Sequence, residues 1–455
     1  MDRRDFLKTC GVAVPGLGIA GVSSAAALAL PTARALEWAD CELGVLIHYD
    51  ITVFEPGYEW RKQWGYHPDP RIFNPSALST DQWMSAAQSA GAKYAVLVAK
   101  HCSGFSLWPT RAHEYSVKST PWKNGKGDIV AEFVDSCRKF GIRPGIYCSA
   151  VANAYFQVDN PGLVKPPDPE AQKRYNQVVV TQFTELWSNY GKLFEIWFDG
   201  GVLPPDQGGP ELAPLISLQP DAIYFQGPSA ARNLIRWSGN EFGTAPEPNW
   251  SAADITTSAN GAAEIKDRHG NPRGNTWCPA EADLPIRKWA SYGGGWIWKQ
   301  GQDSMLKSKQ GLVKSYYKSV GRNANMMLGM VVDDRGLVPE ADCRLLREFG
   351  DEIRRRFATP MAEASGRGNL IELSLGASKA INHAVLMEDL SQGQRILRYR
   401  VEGFNGLFWQ PLARGESIGH KRIHRFPDAR VSKIRLKITD ALAEPLLRSI
   451  AVFKV

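Results

Sequence analysis

The sequence lacks several features that would each define a class of protein. Seven Cys are present, but none has the CxxC spacing of a zinc or redox motif, so neither a zinc site nor a disulfide framework is indicated. Lys and Arg are scattered, and no basic run favours nucleic-acid binding, although the formal net charge is +7. A metal-binding motif, a dinucleotide fingerprint, an internal repeat and a low-complexity tract are also missing. With 44% apolar and 22% charged residues, the chain has the composition of a globular protein with a sizeable core.

Apolar runs long enough for a membrane span are scarce, and the one candidate lies at the N-terminus. Arg3-Arg4-Asp5-Phe6-Leu7-Lys8 matches the twin-arginine export pattern, and the mildly apolar stretch Gly11 to Leu30 is rich in Gly, Ala and Ser. Ala33-Arg34-Ala35 supplies an A-x-A cleavage site, which favours a signal peptide over a membrane anchor. We therefore expect a signal peptide at 1–35, export to the periplasm or medium, and no membrane association after cleavage.

From residue 44 to residue 357, short apolar runs alternate with helical patterns. Strands are expected at 44–49, 93–99, 142–147, 194–198, 221–225, 234–237 and 325–330, and helices at 79–90, 128–140, 169–190, 304–320 and 339–357. This alternation is typical of parallel βα units and predicts a (β/α)8-like barrel over 36–358. Residues 359–455 show short alternating runs separated by Gly and polar turns, which predicts a small C-terminal β-sandwich. The fold class is therefore α/β.

The predicted strand at 194–198 is followed by Asp199 and two glycines. An ionised Asp is almost never fully buried without a partner. In a barrel of this kind, the carboxyl ends of the strands carry the chemistry. Asp199 is therefore a catalytic candidate, and the alternative is that it only caps the segment that follows.

Several segments together resemble glycoside hydrolase family 29, the α-L-fucosidases, from about residue 38 to the C-terminus. Three further segments resemble the subfamily that is selective for α-1,3/1,4-linked fucose. The family segments are Gly44–His48, Lys93–His101, Gly104–Trp108, Asp128–Val134, Gly145–Tyr147 and Trp197–Gly200, and the subfamily segments are Trp237–Glu241, Pro279–Arg287 and Ser417–Phe426.

The resemblance implies a retaining mechanism that needs no cofactor. By the family pattern, Asp199 would be the nucleophile and Glu241 the acid/base, with the two carboxyl groups about 5–5.5 Å apart. Glu281 is a rival for the acid/base, and its structural alternative is a carboxylate paired with Arg287. Glu241 is favoured because the sequence around it is closer to the family pattern.

The same resemblance predicts a sugar pocket. His48, His101, Tyr147 and Trp197 would line it, and Glu59, Trp60 and Trp108 would lie near its rim. The family has His-His-Asp-Gly-Phe where this chain has His101-Cys102-Ser103-Gly104-Phe105, so a thiol stands at a sugar-binding position. Because a thiol hydrogen-bonds weakly, either the sugar differs, or another side chain fills the gap, or activity is low.

The first hypothesis is therefore an exported exo-glycosidase that removes terminal α-L-fucose, α-1,3/1,4-linked, from oligosaccharides or glycans. The alternatives are a related α-L-glycosidase with altered sugar specificity, such as an α-L-galactosidase, and a carbohydrate-binding homologue of low activity. The presence of both Asp199 and Glu241 favours an enzyme, and Cys102 keeps the alternatives open. The pattern does not indicate an oligomeric state.

Overall fold

The structure is a computed structural model that describes residues 28–257, 263–265, 267–288 and 294–455, so residues 1–27 of the predicted signal peptide (1–35) lie outside the described residues. Eight parallel strands form a closed barrel in which each strand pairs with the next and β8 pairs with β1. These strands are β1 (Leu43–His48), β2 (Tyr94–Lys100), β3 (Arg143–Cys148), β4 (Glu195–Trp197), β5 (Ile223–Phe225), β6 (Leu234–Trp237), β7 (Ala280–Pro285) and β8 (Ala324–Val331).

The barrel closes where β1 meets β8, from Leu43 opposite Met326 to His48 opposite Val331. Every residue of β1, β2, β7 and β8 is buried. A parallel strand packs on both faces, against the barrel interior on one side and against covering helices on the other. The apolar runs that predict these strands follow from that burial.

Six α-helices are described: α1 (Ala33–Cys41), α2 (Thr80–Ala90), α3 (Ile129–Phe140), α4 (Pro169–Asn189), α5 (Lys309–Lys318) and α6 (Glu340–Phe357). Helix α2 begins where Ser79 accepts a hydrogen bond from the Gln82 amide and ends at Gly91 with φ of 94°. Helix α3 is bounded in the same way by Asp128 and Gly141. Both boundaries agree with the sequence because the capping residues encode them locally.

Strands β4 to β7 are connected by irregular segments in place of long helices. Short 3-10 helices lie here and elsewhere in the described chain, at Ile51–Phe54, Pro70–Ile72, Val117–Ser119, Trp122–Gly125, Pro205–Gln207, Ala213–Leu218, Asp303–Met305 and Leu390–Gln392. The segment after β6 also forms short strands, of which Ala252–Ala253 pairs with Thr276–Trp277 and Ile255–Thr257 with Ala263–Ile265. A further ribbon pairs Val158–Asp159 with Leu163–Val164.

The C-terminal region is an antiparallel sheet with its own apolar core. Its six strands are β9 (Ala362–Arg367), β10 (Leu370–Glu388), β11 (Ile396–Phe404), β12 (Trp409–Glu416), β13 (Arg422–Ala441) and β14 (Leu446–Phe453), in the spatial order β9-β14-β10-β13-β11-β12. Register shifts interrupt the pairing of the two longest strands, β10 and β13. The predicted fold class, a (β/α)8-like barrel followed by a β-sandwich, is confirmed.

This C-terminal region packs directly on the barrel. Ile423 and Phe453 belong to the same apolar cluster as the barrel helices. The Tyr317 hydroxyl of α5 lies 2.8 Å from His383 Nε2. The contact is apolar as well as polar, as expected of a domain that braces its neighbour.

Two further facts concern the predicted signal peptide and the possibility of a membrane span. Helix α1 runs from Ala33 to Cys41, so the predicted cleavage point after Ala35 lies inside a helix. No helix among the described residues is long and apolar enough to cross a bilayer.

Candidate active site

A cavity of about 390 Å³ opens at the carboxyl ends of the barrel strands. Its size is within the range of small-molecule sites. Among the described residues, its lining is Leu46, His48, Arg61, His101, Tyr147, Trp197, Asp199, Gly200, Phe225, Gln226, Trp237, Glu241, Asp283, Trp296 and Ile297. Both predicted catalytic acids and four of the predicted sugar-binding residues are therefore brought together.

Asp199 lies just after β4, where its side chain is exposed to the cavity while the dense surrounding protein limits its hydration. The Tyr147 hydroxyl donates to Asp199 Oδ2 at 3.3 Å. Burial raises the pKa of Asp199, while the His101 charge and the Tyr147 hydrogen bond oppose that rise. The charge of Glu241 raises this pKa further, so the two acids are close enough to interact.

Glu241 lies on a tight turn that follows β6. Gly239 has φ of 87°, a conformation that favours glycine, and Asn240 Oδ1 accepts a hydrogen bond from the Phe242 amide at 3.1 Å. The Gly243 amide donates to the Asp283 carbonyl of β7 at 3.0 Å, which fixes the turn to the barrel. The sequence after Trp237 therefore positions the Glu241 carboxyl group through backbone geometry.

The indole of Trp296 holds the Glu241 side chain, since its Nε1 donates to Glu241 Oε2 at 3.1 Å. This indole packs over Gly329 of β8. A Cβ at position 329 would lie 2.2 Å from the Trp296 ring, so only glycine leaves room for it. A barrel strand and a loop thus fix the orientation of Glu241 together.

The two imidazoles of the cavity differ in charge. Their ring centroids are 5.5 Å apart. Burial and the neighbouring His101 hold the pKa of His48 well below its ordinary value, so His48 is neutral. Burial would lower the pKa of His101 as well, but Cys102, Asp50 and Asp199 outweigh it and raise the value to about 9. A cation therefore faces Asp199.

Asp283 is a third carboxyl group in the cavity, which the sequence analysis did not single out. The Trp237 indole donates to Asp283 Oδ1 at 2.6 Å. Burial raises the pKa of Asp283 well above its ordinary value, and the charges of Glu241 and Glu281 add to the rise. The Trp237 indole and Asp283 thus form one wall of the cavity beside Glu241.

Glu281, the rival acid/base, does not line the cavity. It is completely buried inside the barrel, where its carboxyl group accepts from the Tyr94 hydroxyl at 2.6 Å and the Trp197 indole at 2.9 Å. The expected pairing with Arg287 is not observed. Arg287 instead pairs with Asp342 of α6 and, at 3.0 Å, with Asp303.

Two predicted rim residues lie away from the cavity. The Trp108 indole is buried and donates to Glu185 Oε2 of α4 at 2.9 Å. Glu59 pairs with Lys62 at 2.6 Å, one turn further along the chain. Neither side chain is part of the lining.

Trp60 and Cys102 share an apolar cluster beside the cavity with Tyr58. Neither lines the cavity, but Arg61 does, with its guanidinium 4.6 Å above the Trp60 ring. Arg61 also pairs with Asp159 at 2.9 Å. The predicted aromatic rim residue therefore supports a cationic side chain that reaches the cavity.

Sequence reasoning missed Arg61, Gln226, Trp237, Asp283 and Trp296 as site residues. Three of them carried a signal, because Gln226 follows β5, Trp237 ends β6 and Asp283 lies in the second half of β7. Gln226 also has φ of 48°, and such backbone strain clusters at functional sites. Arg61 and Trp296 come from loops, and only the packing of those loops reveals them.

Comparison with known proteins identifies the family of the chain. The model of the Alpha-L-fucosidase family matches residues 26–355, which is more than half of the chain. The chain belongs to the α-L-fucosidase family. As a member of glycoside hydrolase family 29, it is a glycosidase that hydrolyses fucosyl residues.

Relatives of this fucosidase match along nearly its whole length. A relative from Oryza sativa subsp. japonica is 32% identical over 492 residues, covering 97% of this chain and 90% of the relative. Alpha-L-fucosidase 1 from Arabidopsis thaliana is 28% identical over 475 residues, covering 94% of this chain and 88% of that protein.

Solved structures show the same architecture. A structure from Bacteroides thetaiotaomicron VPI-5482 is 35% identical, with a TM-score of 0.88 over 94% of this chain and 100% of that chain. The Ruminococcus gnavus GH29 fucosidase in complex with fucose is 24% identical, with a TM-score of 0.78 over 96% of this chain and 97% of that chain. At that identity, the second match supports the fold alone.

Proposed function

We propose that this fucosidase is a retaining exo-glycosidase in which Asp199 is the nucleophile and Glu241 the acid/base. The observation that carries the proposal is that both carboxyl groups face one cavity, whereas Glu281 is enclosed in the barrel. Retention needs two carboxyl groups with different tasks on opposite sides of one anomeric carbon. Asp199, after β4, and Glu241, after β6, approach the cavity from different strands.

In the first step, an Asp199 oxygen bonds to the anomeric carbon while the bond to the glycosidic oxygen breaks. Glu241 gives its proton to that oxygen, which leaves as an alcohol. In the second step, Glu241 takes a proton from water, and the water oxygen replaces Asp199 on the anomeric carbon. Fucose departs, Glu241 is protonated again and Asp199 is again ionised, so each round consumes one water.

The surroundings of Asp199 suit a nucleophile. The cation on His101 and the Tyr147 hydroxyl both favour its ionised form against the effect of burial. As negative charge leaves Asp199 in the first step, both groups also help to set its orientation. On the opposite side, the Trp296 indole holds Glu241 in place to deliver its proton.

The cavity also suits a single hexose with one apolar side. The Trp197 ring stacks on Phe225 at a centroid distance of 3.8 Å, which makes a flat apolar wall. His48 and Arg61 supply polar groups on the lining. A 6-deoxy sugar has both an apolar edge and several hydroxyl groups, and such a site can contact both.

The linkage we propose is α-1,3 or α-1,4. It is supported by the resemblance of Trp237–Glu241 and Pro279–Arg287 to the subfamily selective for those linkages. Both segments contribute to the cavity wall, through Trp237, Glu241 and Asp283. A panel of fucosylated trisaccharides with 1,2, 1,3, 1,4 and 1,6 linkages tests it, and faster cleavage of the 1,2 or 1,6 substrate would exclude the proposed selectivity.

The experiment that tests the mechanism is the anomeric configuration of the first product. Proton NMR during hydrolysis of an aryl α-L-fucoside should show α-L-fucose before mutarotation. Azide should accelerate Glu241→Ala and yield α-L-fucosyl azide, because the small anion attacks the glycosyl-enzyme without needing a base. Initial β-L-fucose would overturn retention, and a Glu241→Ala variant as active as wild type would remove Glu241 from its role.

An altered sugar is the second candidate, and the structure offers it little support. The idea depends on Cys102, which packs beside Tyr58 and Trp60 and does not line the cavity. Rates on aryl α-L-fucoside and aryl α-L-galactoside distinguish the two. We expect the fucoside to be preferred, and a preference for the galactoside would reverse this assignment.

We also propose export by the twin-arginine pathway, on the evidence of the Arg3-Arg4 motif and the Ala33-Arg34-Ala35 site in the sequence. Replacing Arg3 and Arg4 together by Lys should retain the fucosidase in the cytoplasm of a bacterial host. Fractionation and immunodetection measure this. Unchanged export of the double variant would reject the pathway.

A further inference from the structure

Two glutamates face each other inside the barrel below the cavity. Glu195 lies on β4 and Glu281 on β7, and both side chains are completely buried. Their carboxyl groups lie close enough to interact and are placed to share a hydrogen bond. Two ionised carboxylates cannot donate to each other, so this contact requires a proton on one of them.

The remaining oxygens of the pair have defined donors. The Trp38 indole of α1 donates to Glu195 Oε2 at 3.0 Å. Glu281 accepts from the Tyr94 hydroxyl through Oε2 and from the Trp197 indole through Oε1. Among the described residues, Glu195 Oε1 is buried without a hydrogen-bond partner, so this oxygen is the one available to carry a proton toward Glu281.

The barrel interior is shaped to hold this pair. A Cβ on Gly44 of β1 would lie 2.5 Å from the Tyr94 ring. A Cβ on Gly145 of β3 would lie 2.7 Å from the Glu195 carbonyl oxygen and 3.2 Å from its Cβ. Glycine at both positions therefore makes room for the backbone and Cβ of Glu195 and for one of the donors to Glu281.

We propose that Glu195 and Glu281 form a proton-sharing carboxyl pair that positions the Trp197 indole at the base of the sugar cavity. Trp197 lines the cavity, and Asp199 follows it by two residues on the same strand end. Glu281 is thus a positioning residue that acts through Trp197. The kinetic consequence rests on the proposed function, whereas the proton sharing does not.

The groups that face the pair come from several elements. They are Trp38 and Cys41 of α1, Tyr94 of β2, Trp197 of β4 and Asp283 of β7, and within the described part of the chain no cation acts on either glutamate. Burial raises the pKa of Glu281 to about 7. Burial and the neighbouring charge of Glu281 raise the pKa of Glu195 well above its ordinary value. Without a positive charge, the interior favours a proton on the pair.

The sign of the linked stability follows from these shifts. Unfolded glutamates lose their protons near the ordinary pKa of 4.5, while the folded pair retains them to higher pH. The stabilisation from holding the protons is therefore complete below about pH 4.5 and declines as the pH rises through the folded pKa of about 7.

Urea unfolding at pH values from about 5 to about 8 tests the shared proton without any substrate. In Glu195→Gln, the amide donates the hydrogen bond permanently and has no proton to lose. Relative to wild type, the midpoint of this variant should therefore rise steadily as the pH increases.

The matched control is Glu185→Gln, a buried glutamate that accepts from the Trp108 indole away from the cavity. Because Glu185 accepts hydrogen bonds from Trp108, Thr110 and Arg111 and has no carboxyl partner, the rise expected of Glu195→Gln should not be reproduced by this variant. If Glu195→Gln differed from wild type by a constant amount at every pH, the proton-sharing pair would be disproved.

A double-mutant cycle tests the positioning. Glu281→Gln leaves one acceptor oxygen for two donors, so the KM for aryl α-L-fucoside should rise about tenfold, well within the ~100-fold loss that a 1 Å misplacement can cause. Trp197→Phe removes the indole donor, and in that background Glu281→Gln should change KM no further. Additive effects would overturn the positioning role.

The urea experiment and the double-mutant cycle together distinguish a failure of this inference from a failure of the proposed function. If the chain did not hydrolyse the aryl fucoside, the cycle would be repeated on the Kd for L-fucose by calorimetry. The same non-additivity is expected there. The urea experiment uses no sugar, so its failure concerns the pair alone.

Discussion

Strand β4 connects two acids with opposite surroundings. Glu195, at its start, is enclosed in the barrel, and Asp199, just past its end, is open to the cavity. Each has a partner on a later strand segment: Glu195 faces Glu281, and Asp199 faces Glu241 across the cavity. The barrel thus holds one carboxyl pair in its interior and one at its mouth.

The difference between the pairs lies in the charges around them. Asp199 has the His101 cation and the Tyr147 hydroxyl beside it, which favour a carboxylate. The interior pair has only neutral donors, which hold oxygens in place without supplying a positive charge. A carboxyl group at the mouth can therefore gain and lose bonds to a substrate, while one in the interior is suited to holding its neighbours.

The largest difference in activity between changing the carboxyl pair at the mouth and changing the interior pair is expected from Asp199→Ala. Removing the nucleophile should lower kcat on an aryl α-L-fucoside by about 10⁴-fold or more, because no other group forms the glycosyl-enzyme. Calorimetry should still detect binding of L-fucose. Glu281→Gln should retain far more turnover. Equal losses of kcat in the two variants would contradict a catalytic role for the pair at the mouth and a positioning role for the pair in the interior.

A smaller loss is expected from Trp296→Phe, which removes the donor to Glu241 but keeps an aromatic ring over Gly329. A typical hydrogen bond contributes about 0.5–1.5 kcal/mol, which corresponds to roughly 2-fold to 10-fold in rate. The loss in kcat/KM should be larger for a poor leaving group than for nitrophenol, since only the former needs the proton. A loss independent of the leaving group would separate Trp296 from acid catalysis.

Glu185→Gln should affect stability and leave catalysis unchanged. Its carboxylate accepts from Trp108, Thr110 and the Arg111 amide inside the barrel wall. Leaving one buried donor unsatisfied costs about 1–3 kcal/mol in the free energy of unfolding. Urea unfolding measures the loss, and a raised KM for the fucoside would mean that Trp108 reaches the sugar after all.

The smallest effect concerns Cys102. The thiol helps to raise the pKa of His101 to about 9, so the imidazole is charged below that pH and loses its charge above it. On a fucoside with a good leaving group such as nitrophenol, which does not need the Glu241 proton, the alkaline limb of kcat/KM should therefore lie near pH 9. Cys102→Ser should move this limb to lower pH with little change in the maximum rate, and an unmoved limb would show that His101 does not set it.

Much of the fold was predictable because its signals are local. Ser79 and Gly91 mark the two ends of α2, and the apolar run after Lys93 marks β2. The segment between β6 and β7 was less predictable, since its short strands pair through contacts that the chain makes only after folding. Asp199 was a candidate from its position after a strand, and the resemblance to the α-L-fucosidases added Glu241 as its partner. The order of strands is compatible with this pair, because the carboxyl ends of parallel strands meet at one end of a barrel.

The site could be predicted only in part. His48, His101, Tyr147 and Trp197 lie at strand ends and are found in the cavity, as their positions along the strands suggested. For Trp60 and Trp108, the sequence did not indicate whether the side chain faces the core or the cavity, because a Trp can pack in either place. The Trp108 indole donates to Glu185, and the Trp60 ring packs in the apolar cluster beneath Arg61.

The sequence alone determined the succession of strands and helices and the presence of acids where strands end, because hydrophobic periodicity and capping act over a few neighbouring residues. Only the tertiary structure decided which acids face the cavity. Glu241 and Glu281 are both acids near a strand end, and their roles differ because one lies on a turn above the barrel and the other points into its interior. That choice depends on packing between strands far apart in the chain, which no local pattern records.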